Sequence, residues 1–70
     1  MTEFTLTRDH IALDALLKLL AIASSGGVAK MMVQEGLVCV NGEPELRRGR
    51  KLRAGDLVSV QGEEIRILGA

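Results

Sequence analysis

Tryptophan and tyrosine are absent, and Phe4 is the only aromatic residue. That excludes the broad aromatic platforms on which several single-strand RNA modules stack bases. One cysteine, Cys39, leaves no internal disulfide, and the simplest expectation is a reducing, cytoplasmic setting. One histidine and one cysteine are too few for a zinc site, and no acid–nucleophile set surrounds His10. The expectation is therefore a protein that is not an enzyme and needs no cofactor or metal. No apolar run approaches the ~20 residues that span a bilayer. The start, MTEFTLTRDH, has no signal-peptide apolar block. Internal repeats and low-complexity linkers are also missing.

Net charge is absent too, with nine Lys and Arg against nine Asp and Glu. The balance is uneven along the chain. Residues 1–46 carry three cations and six acids, a net of −3. Residues 47–53 hold Arg47, Arg48, Arg50, Lys51 and Arg53 with no acid, a net of +5. Residues 54–70 hold one cation and three acids, a net of −2. Like charges this close repel, by about 1 kcal/mol per pair at 4 Å in water. Such a run is either a well-solvated turn or an edge that binds anions.

Seventy residues, 47% of them apolar, make one domain, residues 1–70, with a small core. Glu3 to Leu6 alternates and predicts a short first strand. Leu13, Leu16, Leu17 and Leu20 recur at the spacing of one helical face. They predict a helix starting near residues 9–12 and ending near Leu20. Asp14 and Lys18 stand in the favourable acid-before-base order within it. Ser24 or Ser25 is a natural N-cap for a second helix, Gly26 to Glu35, and Gly36 suits its C′ position.

From Leu37 the period becomes two. VCVNGE predicts a hairpin with Asn41-Gly42 in a type I′ turn. Pro44, with no N–H to donate, predicts an edge or irregular return strand. RAGD and QGEE are turns, and DLVSV and IRIL are strands. The predicted class is α+β: a short first strand, two adjacent helices, then a small bent antiparallel sheet of hairpins. The expected core is Leu13, Leu16, Leu17, Leu20, Val28, Met32, Val38, Val40, Leu57, one of Val58 and Val60, and one of Ile65 and Ile67.

A second candidate site is SSGGVAK, where the second helix begins. A helix N-terminus offers unpaired N–H groups and partial positive charge. Gly26 and Gly27 let a phosphate approach the backbone, and Lys30 lies one turn in. The same glycines also suit a sharp turn between helices.

In order, LDALLK, SSGGVAKMMVQEG, VCVNGE and LRAGDLVSV resemble the RNA-binding domain named after the fourth protein of the small ribosomal subunit. That module recurs in ribosomal proteins, pseudouridine synthases, some tRNA synthetase tails and small ribosome-associated stress proteins. SGGVAK together with RRGRK is similar to the YbcJ-like group of small stand-alone bacterial members. The match covers roughly residues 11–61. The resemblance implies RNA binding through the second helix and the basic loop, at Gly26, Gly27, Lys30, Arg47, Arg48, Arg50, Lys51 and Arg53. Lys30 falls where the family has Arg or Lys. Gly26 falls where the wider family often has Arg, so a backbone contact replaces a side chain there. The implied partner is structured RNA, ribosomal RNA or tRNA, bound by a monomer away from membranes. The competing expectation is a protein-binding adaptor whose basic loop docks on an acidic partner.

Overall fold

The computed structural model describes residues 1–69. Nine elements follow one another: β1 (Thr2–Thr5), β2 (Ile11–Ala12), α1 (Leu13–Leu19), α2 (Gly26–Gln34), β3 (Val38–Val40), β4 (Glu43–Pro44), β5 (Lys51–Leu52), β6 (Leu57–Val60) and β7 (Glu63–Leu68). The α+β class expected from the periodicities is the one observed. Five strands form one sheet in the order β1-β7-β6-β3-β4, and β2 pairs with β5 in a separate ladder.

The large sheet is mixed rather than wholly antiparallel. β1 lies parallel to β7, with Thr2 opposite Ile65 and Phe4 opposite Ile67. The hairpins behave as their sequences demand. Asn41 and Gly42 have φ of 54° and 86°, and Gln61 and Gly62 have 52° and 78°. These are the two left-handed positions of a type I′ turn, whose twist matches that of the flanking strands. β4, with Pro44, is the sheet edge, where a missing N–H costs no ladder bond.

α1 starts later than its leucine pattern suggests. Ile11 and Ala12 are extended and paired with Leu52 and Lys51, so the helix begins at Leu13. Its Ala12 N-cap offers no side-chain acceptor. Backbone carbonyls do that work: Leu13 N donates to Arg50 O and Asp14 N to Arg48 O, both at 2.9 Å. Asp14 accepts from Ala15 N, and no Asp14–Lys18 ion pair forms among the described residues.

α2 is capped at both ends by its own residues. Ser25 Oγ accepts from Val28 N at 3.2 Å. At the other end Gly36, with φ of 75°, turns the chain left-handed. Leu37 N then reaches Met32 O and Gly36 N reaches Val33 O. That bond pair is the Schellman motif, and it satisfies carbonyls the helix leaves open.

The core lies between the helices and one sheet face. Leu13, Leu16, Leu17, Val33, Val38, Val58, Ile65 and Ile67 are essentially inaccessible. Both members of each valine and isoleucine pair are buried, because each pair sits two apart on one strand and so faces one side. Leu20 and Val28 are only partly buried, and so is Leu57, one step out of phase with Val58 and Val60. Leu6, Ala23, Ala29, Val33 and Leu52 belong to the core without having been expected there.

Candidate nucleic-acid interface

The basic segment is a built loop. Its organiser is Glu45, whose side chain is only 8% exposed. Arg47 Nε donates to Glu45 Oε2 at 3.0 Å, and Arg50 Nη1 donates to Oε1 at 2.7 Å. Arg47 N also donates to Oε2, at 3.1 Å. These donors, Arg47 first and Arg50 next, hold the Glu45 carboxyl at about 2, below its ordinary 4.5. The same contact raises Arg47. A carboxylate buried without a partner is costly, and here two guanidinium groups compensate it.

Backbone contacts fix the loop further. Arg50 N donates to Arg47 O at 3.2 Å, closing a turn with Arg48 and Gly49 at its tip. The carbonyls of Arg48 and Arg50 then cap α1, and Lys51 and Leu52 pair with Ala12 and Ile11. Arg53 Nη1 donates to Asp9, whose carboxyl is lowered chiefly by that bond. Arg53 N donates to Asp56 Oδ2 at 2.9 Å, and Asp56 Oδ1 accepts from the Asn41 side chain. The loop is therefore tied to α1, to the segment before β2 and to the β3–β4 turn.

These ties change the charge picture. Mutual repulsion within 47–53 is offset, because Glu45 and Asp9 stand against three of the five cations. Arg48 and Lys51 are exposed and have no ion pair among the described residues. Arg47 remains 76% exposed although paired, so part of its donor fork still faces solvent. Glu45 was not legible as a site residue.

Gly26, Gly27 and Lys30 form a second group, at the start of α2, and all three are exposed. Neither glycine has positive φ. A Cβ at Gly26 would meet nothing within 4 Å, and one at Gly27 only Ser25 Oγ at 3.8 Å. Turn geometry and packing thus make no demand for glycine here. The Gly26 and Gly27 amides have no protein acceptor among the described residues, while Val28 N is taken by Ser25. No hydrogen bond or ion pair joins this group to the basic loop among the described residues. The basic loop seats on the N-terminal end of α1, a helix of only ~10 Å, and α2 follows its other end after a six-residue link.

The profile of the S4 domain family matches residues 4–68. A Bacillus subtilis protein named "Probable ribosome maturation protein RlbA" is 48% identical over 54 residues, covering 77% of this chain and 76% of that one. The Escherichia coli "Putative RNA-binding protein YbcJ" is 38% identical over 69 residues, covering 97% of this chain and 99% of that one. The solution structure of Escherichia coli YbcJ superposes with a TM-score of 0.72, over 97% of this chain and 87% of that one. That structure is described as revealing an ALFAL motif involved in RNA-binding.

Proposed function

This chain belongs to the S4 domain family, and from that membership we propose that it is a small, non-enzymatic RNA-binding protein. Its 70 residues act as a single domain and a monomer in the cytoplasm. It grips the phosphate backbone of structured RNA, ribosomal RNA or tRNA. Arg48 and Lys51 are the primary phosphate ligands. Arg47 contributes the donors that Glu45 leaves open. Arg50 and Arg53 add charge while holding the loop in place. The start of α2 supplies a second contact through the Gly26 and Gly27 amides and Lys30.

The observation that carries this reading is the anchoring of the basic loop. A cation on a mobile loop loses conformational freedom when it binds, whereas one on a fixed loop has already lost much of it. Hydrogen bonds and ladder pairing fix this loop along its length, yet its Arg48–Gly49 tip remains open to solvent. Contacts of this type grip phosphates and read little sequence, so shape selects the target. Gel-shift titration of a ribosomal RNA hairpin and of tRNA over a range of salt tests the proposal. Binding that weakens steeply with salt is expected. Absence of binding to either RNA at low salt sinks it and leaves the adaptor reading in its place.

A further inference from the structure

Beside β2 lies a cavity of about 450 Å³. It opens between β1, the segment 6–12 and the outer face of α1. Its apolar walls include Phe4, Ile11, Ala15 and Leu19. Thr7, Arg8 and His10 supply its polar lining. Phe4 is the sole aromatic residue of the chain, and Leu19 is 63% exposed. His10 Nδ1 is buried and faces the Asp9 carboxylate at 3.5 Å. None of these features is used by the phosphate contacts described above.

Resting on the RNA-binding reading, we propose that this cavity holds one unpaired nucleobase extruded from the bound RNA. Its size falls within the range of small-ligand sites, which pair apolar walls with a few polar groups. A nucleobase is flat and apolar on its faces and polar at its edge. An aromatic ring and aliphatic walls suit the faces, and the polar side chains of the lining suit the edge. Arg8 suits the phosphate that such a base carries. The position fits as well. Ile11 lines the cavity and pairs with Leu52, while Ala12 pairs with Lys51. Neighbouring strands lie about 4.8 Å apart, so a backbone lying on Lys51 passes close to the cavity mouth.

The test compares a hairpin RNA bearing one bulged nucleotide with the same hairpin lacking the bulge. Wild-type protein binds the bulged form about tenfold tighter, the size expected from sequestering one base. Ala15→Leu places a larger side chain in the cavity from an exposed helical position, so the fold survives. It abolishes the preference and leaves affinity for the perfect hairpin unchanged. In parallel, the Phe4 ring and Ile11 methyl resonances of the wild type shift with the bulged RNA and not with the perfect one. Equal affinity for both RNAs, or a preference that survives in Ala15→Leu, overturns the cavity proposal alone. Phe4 and Ile11 shifts induced by free adenosine or uridine monophosphate, with none from bulged RNA, also overturn it and assign the cavity to free nucleotides. Failure to bind either hairpin at low salt overturns this inference together with the RNA-binding reading.

Discussion

Replacing Glu45 by Gln removes one charge and almost no volume. In the wild type, Arg47 and Arg50 hold this carboxylate at about 2 against an ordinary 4.5. The gap sets a ceiling of about 3 kcal/mol at neutral pH, at 1.36 kcal/mol per unit. Arg47 is 76% exposed, so solvent screens its share, and we expect ~1–2 kcal/mol. In a domain this small, that lowers Tm by roughly 4–16 °C. The pH dependence carries the sign. A depressed carboxyl stabilises the fold fully above the unfolded value and loses that contribution as pH falls through the folded value. The gap between wild type and Glu45→Gln is therefore widest above about pH 4.5 and closes as pH falls toward 2. Urea unfolding of both proteins at pH 7, pH 4 and pH 2.5 measures it. Equal stability at pH 7, or a gap that is as wide at pH 2.5 as at pH 7, refutes the role given to Glu45.

Gly42→Val forces a β-branched residue to φ of 86° and lowers stability by about 1–3 kcal/mol, read by thermal unfolding. An unchanged Tm contradicts the turn. Gly26→Ala meets no steric obstacle and raises stability by up to ~1 kcal/mol. Its Cβ hinders close approach of a phosphate to the amide, so RNA affinity falls severalfold by gel shift. Unchanged affinity removes the Gly26 contact from the account.

The parts of the fold visible in the sequence are those set by local chemistry. The leucine period of α1, the Ser25 cap, Gly36 and Asn41-Gly42 each act through residues a few positions away. Pro44 at the edge follows from its own missing N–H. The parts not visible depend on residues far apart in the chain. Ile11 and Ala12 read as the start of a helix, and their pairing partners lie some forty residues later. The parallel β1–β7 pair joins the two ends of the chain in the same way. Leu52 sits among cations and gives no apolar rhythm, yet it is fully buried under the β2–β5 ladder. The site shows the same division. Its cations stood out by count, and the family pattern named both segments. The pairing of Glu45 with Arg47 and Arg50 appears only once the loop is folded, because it depends on burial of that one carboxylate. This pairing separates the cations that hold the loop from those that remain open to a ligand.

The salt dependence of RNA binding by the Arg48→Gln, Lys51→Gln double variant tests that separation most directly. Both side chains are exposed and have no ion pair among the described residues, so the fold keeps its wild-type stability. Each phosphate contact contributes a slope of about −0.9 in log affinity against log salt on duplex DNA and about −0.7 on single strands. Two lost contacts flatten the slope for a structured RNA by roughly 1.4–1.8. Arg66→Gln, on β7 and outside residues 47–53, serves as the control and leaves the slope unchanged. A double variant that binds with the affinity and slope of the wild type contradicts the account.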